Sequence, residues 1–193
     1  MPTTLEKEVL SHLGWNIDEH TLNIRTDLGN VVIQVGLETL VHVYNNSGTT
    51  LLNGRVVYPL DTSTNGYPNI AYAIANSHET TRFQLGILTA DIPPNESGFV
   101  TLVGSVRGIN TSDLTLGAVY LSATVAGGLT SIKPSFPNYE VLMGVTTNIS
   151  NTNGVVVTDI RNNIRDTVYN FWNGVFRESF NFNISSNGTV ITG

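Results

Sequence analysis

Glycine-containing turn signals punctuate this sequence at intervals of roughly 8–12 residues, a spacing typical of all-β sandwiches and barrels. Asn-Gly is the most informative of these signals, because both residues tolerate the positive φ that tight hairpins need. Long helices have no room between turns spaced this closely. The Asn-Gly pairs are Asn53-Gly54, Asn65-Gly66, Asn153-Gly154, Asn173-Gly174 and Asn187-Gly188.

The segments between the turns are short and rich in β-branched residues, which predicts strands. We therefore predict an all-β fold, with a barrel- or sandwich-like body, an N-terminal hairpin arm and one short C-terminal helix. The segments with the strongest strand pattern are residues 30–35 (NVVIQV), 40–44 (LVHVY), 55–58 (RVVY), 99–103 (FVTLV) and 155–158 (VVVT).

Two stretches have apolar residues at helical spacing. Residues 4–13 are one, and residues 159–176 are the other, with Asp159 as the predicted N-cap and Asn173-Gly174 as the stop. The second helix either packs on its own domain or forms a docking or trimer-axis helix. Its apolar residues are Ile160, Ile164, Val168, Phe171, Trp172 and Val175.

A series of short motifs in one part of the chain recurs, in the same order, in a later part. The stretch around Gly54 and Tyr58 returns near Gly117 and Tyr120, and Gly86 returns as Gly144. Because the order is kept while the loops differ in length, we predict two similar β units, residues 46–105 and 109–160.

These patterns divide the chain into three parts. Residues 1–40 form an N-terminal arm with a hairpin. Residues 41–160 form the β body, and residues 161–193 form a helix and a strand. The last residues resemble the opening of another β unit, so we expect a further domain to follow.

Composition limits the classes of function. Only 12% of the 193 residues are charged, and the net charge is −6, with no run of Lys or Arg. We therefore expect no nucleic-acid partner. The sequence has no cysteine for disulfides or thiolate chemistry,. No apolar run approaches membrane length and no signal peptide is evident, so we expect no membrane partner.

No pattern of catalytic or metal-binding residues emerges. His12, His20, His42 and His78 lack a second ligand at metal-binding spacing,. Serines near Gly or His do not lie in a nucleophile elbow. We predict no enzyme activity, no catalytic, metal or cofactor-binding residues, and no cofactor. The serines considered are Ser47, Ser77 and Ser105.

The sequence leaves carbohydrate binding or cleavage as an alternative. Asp61, Asp91 and Glu140 are carboxylates that folding could bring together,. The scattered aromatic residues could stack on sugars, although strand packing also accounts for them. These aromatics are Trp15, Tyr44, Tyr58, Tyr67, Tyr72 and Tyr120.

Many short motifs follow one another in a fixed order over about residues 14–158. They are Trp15-Asn16, residues 21–24, 35–38 and 43–48, Asn53-Gly54, residues 56–58, Gly86-Ile87, Ile92, residues 98–100, 104–112, Leu116-Gly117, residues 119–122, 126–130, Lys133-Pro134 and Gly144-Val145. Together they resemble a β-rich module that recurs in structural proteins of tailed bacteriophages, including tail-fibre and head-fibre proteins. The Gly117 stretch departs from the pattern, with Ala118 where an acidic residue is expected.

The resemblance implies a non-enzymatic structural protein of the virion. The first expectation is a fibre-type appendage module that docks on the particle and forms or supports a fibre, with the arm of residues 1–40 as its virion anchor. A capsid decoration or cement protein that stabilises the head is the main alternative, and a carbohydrate-binding host-recognition domain is a weaker one. The resemblance also implies a homotrimer and contacts with other virion proteins (capsid, portal or tail components). A host-surface glycan is a further possible partner.

Overall fold

The computed structural model describes residues 12–28, 31–81, 86–159, 183–184 and 190–191. Over these residues the chain forms fourteen strands and one four-residue helix, α1 (His78–Thr81). The predicted all-β fold is confirmed. The described residues include the last two of the predicted helix over residues 4–13: His12 is helical, whereas Leu13 opens the first strand, and residues 4–11 lie outside the described residues. The predicted helix over residues 159–176 also lies outside them, except that Asp159 ends a strand.

The N-terminal part forms a separate three-stranded antiparallel sheet, here called the arm sheet. Its strand order is β1-β2-β3, and a tight turn joins β1 to β2. The predicted N-terminal hairpin is therefore present and is extended by a third strand. The strands are β1 (Leu13–Asn16), β2 (Thr21–Arg25) and β3 (Val32–Gln34).

Five strands of the body close on themselves, and we call them the ring. Strand β8 closes it, because Thr101 lies opposite Leu40 of β4 on one edge and Ile87 of β7 on the other. Around the ring the order is β8-β4-β6-β5-β7, with β4 and β6 parallel at Tyr44 and Asn69. The strands are β4 (Thr39–Tyr44), β5 (Val56–Thr64), β6 (Tyr67–Tyr72), β7 (Gly86–Leu88) and β8 (Ser97–Ile109).

The second half of β8 leaves the ring and starts an open sheet. From Val103 onward it pairs with β12, and the order continues β12-β11-β9-β10. The two-residue strand β10 is the free edge of this sheet. Its strands are β9 (Gly117–Leu121), β10 (Leu129–Thr130), β11 (Leu142–Asn148) and β12 (Gly154–Asp159). Two further strands, β13 (Asn183–Ile184) and β14 (Val190–Ile191), pair with each other.

Two apolar cores share the strands of the ring. Val57 and Leu88 pack inside the ring with Val43 and Val100, whereas their neighbours, including Ile87, pack against the open sheet. Successive side chains of a strand point to opposite faces, so the start of β5 (Val56 and Val57) and β7 are buried on both sides,. This explains why these short stretches are apolar without alternation.

The Asn65-Gly66 pair makes the turn that its sequence predicts. Both residues have positive φ, 53° and 83°, and they form the two-residue connection between Thr64 of β5 and Tyr67 of β6. Such a connection matches the twist of the flanking strands.

The two predicted β units have corresponding strand pairings. Val57 lies opposite Gly86 in the first, and Val119 lies opposite Gly144 in the second. The two glycines have φ of 156° and 149°, and a Cβ on either would collide with a carbonyl oxygen of the next strand. Each unit therefore needs glycine at this position for the same steric reason.

Candidate functional site

The residues that the sequence singles out for chemistry are dispersed. Within the described ranges no cluster of three or more His, Asp or Glu side chains is suited to a metal ion. Asp91 accepts a hydrogen bond from the Asn53 backbone N–H at 2.7 Å, and Glu140 pairs with Lys133 at 2.6 Å. The third carboxylate considered for carbohydrate chemistry, Asp61, lies on β5. Asp91 lies in the connection between β7 and β8 and Glu140 in the connection before β11, so the three carboxylates come from three different parts of the chain.

His42 lies in an aromatic stack on the outer side of the ring. Its ring centroid is 3.9 Å from that of Tyr67 and 4.9 Å from that of Phe99, on the two neighbouring strands. Its Nε2 atom is buried and has no hydrogen-bond partner. Since the imidazole packs against rings on both sides, its role here is cross-strand packing.

The three candidate serines also occupy structural positions. Ser47 Oγ donates to Asn45 Oδ1 at 2.6 Å, in a turn that Asn45 organises. The carbonyl of Ser77 accepts a hydrogen bond from the Thr81 hydroxyl at 2.8 Å. Ser105 lies on β8. The ring centroid of His78, the residue after Ser77, lies 5.8 Å from that of Tyr139.

A cleft of about 430 Å³ opens between the start of β5 and the end of β8. Arg55 and Asp113 are the charged residues that line it in the described part of the chain. The side-chain Oδ1 of Asn53, also in its wall, is buried and has no hydrogen-bond partner. Polar groups beside apolar walls can hold a small polar ligand. The sequence alone does not reveal this cleft, because distant segments supply its walls: Leu52, Asn53, Gly54, Arg55, Ile109, Asn110, Asp113, Leu114, Val125, Gly128 and Leu129.

Arg107 of β8 joins the arm sheet to the body. Its guanidinium lies 2.6 Å from Glu38 Oε1 and donates to Gln34 Oε1 at 2.6 Å. The Glu38 side chain is only 4% exposed, and its second oxygen accepts the Gln34 backbone N–H at 3.2 Å. Glu19 Oε1 lies farther from the same guanidinium, 3.7 Å from its Nη2 atom. A guanidinium that bonds two side chains at once fixes orientation as well as distance.

This junction sets which side of the arm sheet faces the body. A cleft of about 260 Å³ separates the two, with Asn23 and Gln34 on the arm side and Thr89, Ser105 and Arg107 on the body side. Asn23 and Gln34 lie opposite each other in the β2–β3 register. The polar face of the arm sheet is therefore turned inward. Local sequence patterns do not predict this junction, because Arg107 is 69 residues from Glu38 and 73 residues from Gln34 along the chain.

The opposite side of the arm sheet is apolar, and we call it the arm face. Leu13 pairs with Ile24, Trp15 with Leu22, and Ile24 with Ile33 across the three strands. Trp15 is 67% exposed and Val35 is 45% exposed. A monomer rarely leaves a continuous apolar face like this uncovered. The arm face consists of Leu13, Trp15, Leu22, Ile24, Ile33 and Val35.

A second exposed apolar area, here called the edge patch, lies beside β10. It consists of Leu116 and Ile132, which are 66% and 80% exposed. The hydrogen bond from the Thr115 N–H to Ser131 Oγ, 2.7 Å long, brings the two segments together. Phe136, four residues after Ile132, is 69% exposed. The edge patch therefore lies at the free edge of the open sheet.

None of the helices in the described ranges is long and apolar enough to span a bilayer. Comparison with protein-family models, curated proteins and solved structures finds no match for this chain.

Proposed function

We propose that this chain is a non-enzymatic structural module of a tailed-bacteriophage virion, of the fibre type, which docks on the particle and forms or supports a fibre. The observation that carries the proposal is the exposure of two separate apolar areas, the arm face and the edge patch, on a chain with only 12% charged residues.

A surface with large exposed apolar side chains and few charges needs neighbours that cover it. A protein that is free in solution relies on interspersed charges and small apolar patches to stay soluble. Side chains as exposed as Ile132 and Trp15 gain free energy when a neighbour covers them, at about 25 cal/mol for each Å² removed from water. A subunit within a symmetric assembly has such neighbours on several sides. The surface of this chain therefore suits a packed assembly.

The resemblance of residues 14–158 to phage structural modules supports a location in the virion. In that setting the chain is a homotrimer in contact with capsid, portal or tail components, and its place is the virion. The closed ring and the Arg107 contacts that hold the arm sheet on the body suit a supporting part of an appendage.

Antibody labelling of purified phage particles, viewed by electron microscopy, tests the proposal. Antibodies raised against the body, at residues 41–159, are expected to label an appendage, and pre-incubation with the purified chain should abolish the label. Label spread evenly over the head would replace the fibre assignment with a capsid decoration protein. Particles that carry no label, and whose digests lack peptides of this chain, would contradict a virion role.

The cleft beside Arg55 and Asp113 supports a second candidate, a carbohydrate-binding host-recognition domain. Its mixture of charged and apolar walls is typical of sites for polar ligands,. Saturable binding of an oligosaccharide by titration calorimetry, weakened by Asp113→Ala and unchanged by Asp61→Ala, would support it. A glycan array without a positive signal would reject it.

A further inference from the structure

Three of the five Asn-Gly pairs lie in the described part of the chain, and their surroundings differ sharply. Asparagine is thermolabile, and a following glycine makes it more so, because glycine has no side chain to keep its backbone nitrogen away from the asparagine amide. We propose that Asn65 is a site of spontaneous deamidation in the folded chain, whereas the fold protects Asn53 and Asn153. This inference is independent of the virion role.

The reaction needs only water and the groups of the Asn65-Gly66 pair. The Gly66 backbone nitrogen attacks Cγ of Asn65, so that a bond forms between these two atoms and the bond from Cγ to Nδ2 breaks. The Gly66 N–H proton leaves with the amide nitrogen as ammonia, and a cyclic imide remains. Water then opens this ring at one of its two carbonyls. The product is aspartate or isoaspartate, and either makes the net charge of −6 more negative by one unit.

The Asn65-Gly66 turn leaves both reacting groups accessible. Both residues are exposed. Neither the Asn65 side chain nor the Gly66 N–H has a hydrogen-bond partner among the described residues. A Cβ built on Gly66 would have no atom within 4 Å, so the space beside the turn is open. Ring formation requires rotation of the backbone between the two residues, and local opening of such an exposed turn costs little free energy.

The same dipeptide is held in place at Asn53. The Gly54 N–H donates to the Leu88 carbonyl at 2.9 Å, so the nitrogen that would attack is already bound. The Asn53 N–H donates to Asp91 Oδ1 at 2.7 Å, and the side-chain Oδ1 of Asn53 is buried. A Cβ on Gly54 would lie 2.8 Å from the side chain of Ile109, which shows how closely this backbone is packed. Ring formation at Asn53 therefore requires breaking contacts of the body.

Burial protects the Asn153-Gly154 pair. Gly154 is buried at the start of β12, opposite Ile109 of β8. A Cβ on Gly154 would collide with the Thr111 side chain and the Ile109 carbonyl, so this backbone has no room to rotate. The Asn153 carbonyl also accepts a hydrogen bond from Asn148 Nδ2 at 2.7 Å. The pair therefore reacts only when this end of the open sheet opens.

Modification of Asn65 is expected to change the turn and to spare the core of the ring. Isoaspartate adds a carbon atom to the backbone, so the two-residue connection cannot keep its geometry. Residues 60–63 next to the turn are exposed, and the β5–β6 register is irregular between Pro59 and Ser63. The buried part of β5 begins beyond this stretch, at Val57. The ring is therefore expected to stay folded after the reaction.

Peptide mapping by mass spectrometry tests the proposal on the full chain, because trypsin places the three described pairs in different peptides. The folded chain and the chain unfolded in guanidinium chloride are incubated at the same mildly alkaline pH and temperature. Each rate in the folded chain is divided by the rate of the same pair in the unfolded chain, which removes the effect of local sequence. We expect this ratio to be at least about tenfold larger for Asn65 than for Asn53 or Asn153.

Two variants assign the modified residue within its peptide. Asn65→Gln should abolish the modified form, because the longer side chain closes a ring on the next nitrogen much more slowly. Asn76→Gln is the matched control in the same tryptic peptide and should leave the modified form unchanged. A ratio for Asn65 no larger than those of Asn53 and Asn153 would overturn the proposal. A modified peptide that persists in Asn65→Gln would overturn it as well.

Discussion

The ring and the arm sheet are built from similar short apolar strands, yet they use their apolar side chains in opposite ways. In the ring, Val43, Val57 and Leu88 are fully buried. In the arm sheet, Trp15 is 67% exposed while Gln34, on the other face, is 5% exposed. The ring carries its own core, whereas the arm sheet is attached by polar contacts and presents its apolar side outward. Stability is therefore expected to come from the ring and the open sheet, and binding from the arm.

The largest effect is expected at the paired glycines of the body. Gly144→Ala and Gly86→Ala each place a methyl group against the backbone of the next strand, at a φ that side chains rarely adopt. Strain and overpacking together should lower the free energy of unfolding by about 3–5 kcal/mol in each variant. Urea denaturation measures the loss.

Gly66→Ala is the matched control for these variants. Gly66 also has positive φ, but no atom lies within 4 Å of the added Cβ. Backbone conformation alone should then cost about 1–2 kcal/mol. If all three variants lose the same amount, the close strand contacts at Gly86 and Gly144 do not matter, and the correspondence between the two units loses its physical meaning.

The next largest effect is expected in the core of the ring. Leu88→Ala removes a fully buried side chain from an enclosed core and should lower the free energy of unfolding by about 2–4 kcal/mol,. Leu60→Ala, on the neighbouring strand β5 at 37% exposure, should cost below about 1 kcal/mol,. Thermal and urea unfolding measure both. Similar losses for the two variants would show that the ring does not enclose a distinct core.

A smaller and more local effect is expected at Arg107. Arg107→Ala leaves the buried Glu38 carboxylate without its charged partner and should lower the free energy of unfolding by about 1–2 kcal/mol,. The loss stays this small because the arginine side chain is itself 38% exposed. Hydrogen exchange should accelerate in β1–β3 and stay unchanged in β5 and β7. Arg107→Lys keeps the charge without the two-sided geometry, so its effect should be intermediate. Uniform acceleration across the body would mean that the junction does not act on the arm alone.

The smallest effect is expected at the Lys133–Glu140 pair. Lys133 is 61% exposed, so Lys133→Gln should change the free energy of unfolding by about 0.5 kcal/mol or less,. Urea denaturation at low and high salt measures it. A loss as large as that of Arg107→Ala would contradict the view that the buried Glu38 distinguishes the arm junction.

Local features were predictable from the sequence, because short-range chemistry determines them. The Asn65-Gly66 turn, the strands β4 and β12, the start of β5 and the N-terminal hairpin all follow from turn residues and β-branched runs. The apolar spacing of residues 4–13 predicts a helix that includes Leu13, whereas in the fold Leu13 pairs with Ile24. The hydrogen-bonded pairing of β1 with β2 outweighed that spacing.

Long-range features were not predictable. Closure of the ring depends on Thr101 pairing with both Leu40 and Ile87, which no local pattern specifies. The Arg107 junction joins residues about seventy positions apart, and the cleft draws on several segments. The outward direction of the arm face follows only once the junction is known, since alternation alone does not say which face meets the body.

The most direct test of the central claim, that this chain is a subunit of a symmetric structural assembly, is its native mass by light scattering coupled to size exclusion. The account predicts a mass near three times 20.9 kDa, reduced in an Ile132→Asp variant that places a charge in the edge patch. A species of 20.9 kDa that persists at every concentration, with or without Ile132→Asp, would contradict it.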